Sequence, residues 1–142
     1  METLHINGWL GINSDSAISV SEEKNANSWD MECIAKKVMN FADTYAYHRE
    51  YRQGLGGEKA YIEDVNLRIY VTDKECTLEE AECALVDKLE GGVEVDIALE
   101  GYSEYTITGY SVEDFSIGNH NLEYELREYL GKYIHFVMEY EG

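Results

Sequence analysis

The sequence predicts a single α+β domain, in which about three helices pack on a mostly antiparallel sheet. Three observations predict this class. In several short segments apolar and polar residues alternate, as they do along half-buried strands. In other segments the apolar residues recur every three or four positions, as they do on amphipathic helices. The chain has no proline and no Ser/Gly-rich linker, so residues 1–142 are expected to form one domain.

Strand-like alternation occurs near both ends and in the middle of the chain. Near the start, Leu4, Ile6 and Leu10 are separated by even spacings. Gly101-Tyr102-Ser103 is expected to turn one strand back along the next, so that the later strands form a meander. The predicted strands are 3–12, 65–72, 93–100, 104–112 and 132–140, with shorter extended pieces at 17–20 and 115–117.

The longest predicted helix covers residues 28–52. Its apolar positions recur with helical spacing, and the glycine-rich segment 54–57 is expected to end it. The apolar stripe consists of Ile34, Val38, Phe41, Tyr45 and His48.

Two further helices are predicted from their capping residues. Thr77 and Glu80 have the spacing of a capping box, which predicts a helix over 77–89 ended by two glycines. The polar residues 119–121 precede a third, short helix over 122–130.

Acidic residues outnumber basic ones by 29 to 11, which gives a formal net charge of −18. Residues 1–74 carry 12 acidic and 8 basic residues, whereas residues 75–142 carry 17 and 3. A surface this negative repels nucleic acids and anionic membranes, and it attracts basic protein clefts. The charge therefore predicts a basic protein as partner, with no direct contact to nucleic acid or membrane.

Catalytic signatures are absent from the sequence. His48 is expected in the core, and no serine or cysteine has the spacing from a histidine that would predict a nucleophilic triad. Acidic pairs such as Glu94 and Asp96 are too numerous to identify an acid–base couple. We therefore expect a non-enzymatic protein with no catalytic residues.

A zinc site is the chemical alternative that the sequence leaves open. On the predicted second helix, Cys83 lies one turn from Glu79 and Asp87, and Cys76 lies just before the cap. Zinc is the one cofactor that these residues suggest, although a free thiol among surface carboxylates needs no metal. The odd number of cysteines, three, favours reduced thiols and a cytoplasmic protein.

The acidic residues of the second half are predicted to form a partner-binding surface. They fall on consecutive predicted elements, and tyrosines, which are enriched in protein interfaces, lie among them. Such an array would compete for the Lys/Arg channels that hold phosphate backbones. The candidate residues are Glu79, Glu80, Asp87, Glu90, Glu94, Asp96, Glu100, Tyr102, Glu104, Tyr105, Glu113, Asp114, Glu123, Glu125 and Glu128.

In its size, in the charge of residues 75–142 and in the stretch Gly101-Tyr102-Ser103-Glu104-Tyr105, the chain resembles small acidic inhibitors encoded by phages and mobile elements. Anti-CRISPR and anti-restriction proteins belong to this broad class. The resemblance implies a bacterial defence nuclease as partner, with a Cas9-like effector as the first candidate. It also implies the cytoplasm of a bacterial host as the location, and it assigns no residue roles.

Two other functions remain as alternatives. An immunity protein that neutralises a basic nuclease toxin would have the same charge. A zinc-binding accessory domain would be built around Cys76 and Cys83.

Overall fold

The computed structural model describes residues 2–41, 44–48, 56–100 and 109–140. More than half of the described residues lie in strands, which pair antiparallel, so the α+β class with a mostly antiparallel sheet is confirmed. The described residues contain two short α-helices, where about three were predicted. Neither helix has the length and apolar character needed to cross a membrane.

The elements follow one another along the chain with few long connections. The strands are β1 (Glu2–Ile12), β2 (Ile18–Ser21), β3 (Glu32–Cys33), β4 (Thr44–His48), β5 (Gly56–Thr72), β6 (Leu85–Glu100), β7 (Gly109–Ile117), β8 (His120–Asn121) and β9 (Tyr133–Tyr140). The helices are α1 (Ile34–Phe41) and α2 (Leu122–Glu125), and 3₁₀ turns occur at Ser28–Asp30, Glu82–Ala84 and Leu126–Tyr129.

β1 and β9 lie side by side in the middle of the sheet. They pair from Glu2 opposite Tyr140 to Trp9 opposite Tyr133, and β9 pairs with β5 on its other side. The order across the described sheet is β3-β2-β1-β9-β5-β6-β7-β8, and β4 also pairs with β5.

One face of the sheet, the inner face, packs on both helices and encloses the main core. α1 contributes Ile34 and Val38, and the segment around α2 contributes Leu122 and Leu126. Phe136 of the central strand β9 is fully buried among them. Apolar residues at every second strand position point to this face, because strand side chains alternate.

The opposite face, the outer face, is covered at one end by residues 73–84, which we call the 73–84 segment. There Tyr70, Ala81 and Val137 form a small second cluster. Farther along β5 and β6 the outer face carries exposed residues such as Tyr61 and Glu94.

The predicted helix over 28–52 is wrong except for α1. A 3₁₀ turn and β3 precede α1, and Thr44–His48 form β4 against β5. The part of the prediction beyond residue 48 lies outside the described residues, and Gly56 opens β5 instead of following a helix. Threonine and tyrosine favour strands, so pairing with β5 overrides the helical spacing.

The predicted helix over 77–89 is also wrong, although its capping box forms. The backbone N–H of Thr77 donates to Glu80 Oε1 (3.0 Å), and the N–H of Glu80 donates to Thr77 Oγ1 (3.2 Å). Only a 3₁₀ turn follows before β6 begins at Leu85, which is 44% exposed. Pairing with β5 along its length gives the backbone of β6 the hydrogen bonds that a helix would have supplied.

The third predicted helix and the later strands agree better with the structure. Asn121 caps α2 by accepting a hydrogen bond from the N–H of Tyr124 (3.1 Å), and a 3₁₀ turn continues α2 to Tyr129. β7 joins the end of the strand predicted at 104–112 to the extended piece at 115–117. The predicted turn at 101–103 and residues 104–108 lie outside the described residues.

Candidate functional site

Four of the predicted acidic residues form a row on the outer face. On β6, Glu90 lies four residues before Glu94, and Glu94 lies two residues before Asp96, so all three side chains are on the same face. Asp114 of β7 lies directly opposite Asp96. We call these four the acidic row. Same-face neighbours on one strand are about 6.6–6.8 Å apart, and residues opposite each other on adjacent strands are closer. Glu94 and Asp96 are therefore one such step apart and Glu90 and Glu94 two steps, about 13 Å. The charges of the row are thus more widely spaced than those of a nucleic-acid strand, which recur about every 3.4 Å of axis.

The pair formed by Asp96 and Asp114 is unfavourable for the sheet, since like charges directly opposite each other destabilise an antiparallel ladder. Lys59 of β5 offsets part of this repulsion, with its Nζ 4.0 Å from Asp96 Oδ2. The pair adds negative potential to this part of the outer face.

Basic residues also occur on the outer face. Arg68 is ion-paired with Glu139 (Nη2 to Oε1, 2.8 Å), and Lys88 lies opposite Arg68 in the next strand. These basic residues lie between the acidic row and the 73–84 segment.

Glu79 and Glu80 lie in the 73–84 segment and are exposed. Glu80 also stabilises the turn, because hydrogen bonds from the backbone and hydroxyl of Thr77 lower the pKa of its carboxyl. This segment adds carboxylates to the outer face at the end remote from Asp114.

The other described candidates lie on the side of α2 and not on the outer face. Asp87, Glu125 and Glu128 surround Tyr129, and burial followed by the charges of these carboxylates raises the pKa of its hydroxyl. Glu125 Oε1 is 3.0 Å from Nδ1 of His120. Glu113 is the extra residue where the register of β7 shifts, and it accepts a hydrogen bond from the hydroxyl of Ser111 (3.0 Å). The sheet thus separates the described candidate residues into one group on the outer face and a second group on the side of α2.

Glu123 has a structural role. Its Oε1 accepts a hydrogen bond from the backbone N–H of Ile18 (2.7 Å), which ties α2 to β2. Its Oε2 is buried without a hydrogen-bond partner among the described residues. Burial raises the pKa of this carboxyl, against the opposing effects of the Ile18 N–H and Arg127.

Replacing Glu123 by glutamine is expected to change how stability depends on pH. A carboxyl whose pKa is raised in the folded state binds its proton more tightly there than in the unfolded chain. The folded protein therefore loses stability as the pH rises from about 4.5 through the raised pKa. Glu123→Gln removes that loss and keeps an acceptor for Ile18. Urea unfolding should therefore show the stability of the variant rising relative to wild type between pH 4 and pH 7. Glu128→Gln controls for removing one negative charge, and a flat difference for Glu123→Gln would contradict the prediction.

Three candidates, and the side chain of a fourth, lie outside the described part of the structure. Tyr102, Glu104 and Tyr105 lie outside the described residues. Glu100 ends β6 opposite Gly109, and its side chain is not among those described.

A pair of histidines, which the sequence did not single out as a unit, links β1, β9 and the 73–84 segment. His135 is 2% exposed, and its Nε2 lies 2.8 Å from the carbonyl oxygen of Cys76. Because a carbonyl only accepts, His135 Nε2 carries a proton, and its Nδ1 accepts from Nε2–H of His5 (2.8 Å). Burial and the neighbouring His135 lower the pKa of His5.

The two cysteines behind the zinc alternative are not brought together with further ligands. Cys76 Sγ lies 3.4 Å from Thr72 Oγ1 and 3.9 Å from His135 Nε2. Because the proton on His135 Nε2 points to the carbonyl oxygen of Cys76, this nitrogen cannot act as a base for the thiol. Cys83 is exposed. No group of three histidine, cysteine or carboxylate side chains in the described part of the chain is arranged to hold a metal ion. The geometric basis of the zinc alternative was the helix over 77–89, which does not form.

Comparison of the chain with protein-family models, with curated proteins and with solved structures gave no match.

Proposed function

We propose that this protein is a non-enzymatic inhibitor that binds the basic nucleic-acid-binding region of a bacterial defence nuclease. The observation that carries the proposal is the acidic row on an outer face that neither of the two described α-helices covers, in a chain of net charge −18. A Cas9-like effector is the first candidate, since such enzymes hold their heteroduplex in a positively charged channel.

The geometry of the outer face suits a rigid contact. Glu94 and Asp96 lie where β6 pairs with β5 on one side and with β7 on the other, so backbone hydrogen bonds fix the strand that carries them. Tyr61 lies beside the row, opposite Glu94, and is 51% exposed. Gly92 makes room for this ring, because a Cβ there would lie 2.5 Å from the Tyr61 hydroxyl oxygen. An exposed tyrosine among carboxylates adds contact area to charge attraction.

The proposal is tested with two variants of equal net charge. Glu90→Lys/Glu94→Lys reverses two of the four charges of the acidic row, and Glu2→Lys/Glu58→Lys reverses two exposed carboxylates outside the candidate set. Each is mixed with a panel of purified guide-loaded CRISPR nucleases and restriction enzymes at about 50 and 300 mM salt, and DNA cleavage is measured. We expect the row variant to need at least about tenfold more protein for half inhibition, and the control variant to resemble wild type.

Equal inhibition by both variants would show that the row is not the contact. Wild-type protein that inhibits no member of the panel at low salt would contradict the function itself. Including a basic nuclease toxin in the panel separates the immunity-protein alternative, which predicts inhibition of the toxin alone.

A further inference from the structure

Trp29 stands out from the surface at the other edge of the sheet, in the 3₁₀ turn between β2 and β3. Its side chain is 81% exposed, and no residue of this turn is buried. The turn is nevertheless ordered by its backbone, since the N–H of Asp30 donates to the carbonyl oxygen of Asn27 (2.9 Å). A tryptophan in this position adds little to the core, and tryptophan is among the residues most enriched at the energetic centres of protein interfaces.

Two clefts flank this turn. The larger, about 630 Å³, is lined on one side by Glu22, Glu23 and Asp30. The smaller, about 390 Å³, is lined by Trp29 itself. Glu32 and Lys37 line both clefts, so the two are adjacent. Their volumes lie within or near the range of ligand-binding clefts.

The cations near the clefts are already engaged within the protein. Lys37 Nζ is 2.6 Å from Glu32 Oε2, and Lys36 Nζ lies 3.6 Å above the ring of Tyr110. The carboxylates of Glu22, Glu23 and Asp30, by contrast, form no ion pair with a described residue. The surface around Trp29 therefore combines an exposed indole with unneutralised negative charge.

We infer that this surface, formed by Trp29, Glu22, Glu23 and Asp30, binds an arginine side chain of a basic protein partner. A guanidinium group is planar and weakly hydrated, so it stacks on an indole face while its N–H groups donate to nearby carboxylates. A lysine ammonium carries the same charge but offers no planar surface, and nucleic acid is repelled by the net charge. The inference rests on the proposed function in one respect, because it assigns a second contact to the same basic partner.

The test uses a fluorescently labelled hexa-arginine peptide and a hexa-lysine peptide of equal charge, at about 50 mM salt. Binding is followed by anisotropy, and the indole N–H signal of Trp29 is followed by NMR, assigned by its absence in Trp29→Ala. We expect the arginine peptide to shift this signal and Trp29→Ala to weaken its binding about fivefold, with a smaller effect on the lysine peptide. Tyr124→Ala is the matched control, because Tyr124 is 75% exposed at another site.

An arginine peptide that binds without shifting the Trp29 signal would overturn the inference, as would equal affinities of Trp29→Ala and Tyr124→Ala. A dimer in sedimentation that Trp29→Ala dissociates would also overturn it, by assigning the surface to a second copy of the chain.

The nuclease assay separates this inference from the proposed function. If Trp29→Ala inhibits a nuclease as well as wild type while Glu90→Lys/Glu94→Lys does not, the arginine contact is wrong and the proposed function stands. If wild type inhibits no nuclease but the Trp29 signal responds to arginine alone, the proposed function is wrong and the arginine site stands.

Discussion

Replacing Phe136 by alanine is expected to lower the free energy of unfolding by about 3–5 kcal/mol, the range for an aromatic side chain removed from a core. Phe136 is fully buried at the centre of β9, opposite Ile6 of β1 on one side and Ile69 of β5 on the other. Its ring lies 6.2 Å from the ring of Phe115, measured between centroids. Phe136 therefore connects β1, β9 and β5 with Phe115 of β7 in the core, and its removal would leave a cavity between them.

Urea unfolding monitored by far-UV circular dichroism measures this loss. Tyr124→Ala is the control, since this exposed tyrosine should change stability by no more than about 0.5 kcal/mol. Phe136→Leu leaves a smaller void, so its loss in the free energy of unfolding is expected to lie between those of Phe136→Ala and Tyr124→Ala. This variant remains informative if Phe136→Ala does not fold. A loss below about 1 kcal/mol for Phe136→Ala would contradict the position of this ring in the core.

Replacing Gly8 by alanine is expected to destabilise the protein by about 3 kcal/mol for two reasons that act together. Its φ of +153° is rarely adopted by residues with a side chain. A Cβ at this position would also lie 2.8 Å from the backbone oxygen of Ser21 and 3.0 Å from Cβ of Val20. β1 and β2 approach each other here with no room for a methyl group.

Gly131→Ala separates these two effects. Gly131 also has a positive φ, +85°, but a Cβ added there meets nothing within 4 Å. Its replacement should therefore cost only the conformational part, about 1–2 kcal/mol. Similar losses for the two variants would mean that β2 moves aside without penalty, which the buried positions of Ile18 and Val20 argue against.

The strands were the most predictable part of the fold. In β1 and β9 one face is core, so the alternation of apolar residues is visible in the sequence. Its limits appear in β9, where Tyr133, His135 and Val137 are buried on the outer face as well. Their burial depends on the 73–84 segment and on β1, and neither contact can be read from a local pattern.

The helices were predicted poorly because local signals were correct but incomplete. Thr77 and Glu80 do form the capping box, yet the box specifies how a turn begins and not how long the helix continues. Leu85 and Leu89 have helical spacing from Leu78, but in β6 they lie on opposite faces, with Leu89 opposite Leu67 and Leu85 opposite Tyr70. Long-range pairing with β5 decided between helix and strand, and register across strands is not encoded within a short window.

The candidate site was predictable in its charge and not in its geometry. Glu94 and Asp96 were expected on one strand face and they are. Asp114 joins them only because β7 pairs with β6 in a particular register. Glu123 was grouped with them by sequence proximity, whereas α2 packs on the inner face and turns this carboxylate towards Ile18. Trp29 falls within the predicted helix over 28–52, but the described structure has a 3₁₀ turn at this position, and the helical spacing did not predict the exposure of Trp29.

The central position of β9 determines when the sheet can form during synthesis. β9 lies between β1 and β5 in the sheet, yet it follows both of them in the sequence. Until β9 has been synthesised, the edges of β1 and β5 that pair with it lack that partner, and residues 13–132 separate β1 from β9 along the sequence. Nascent chains stalled before residue 133 would accordingly carry two open strand edges, which makes them targets for chaperones and for aggregation.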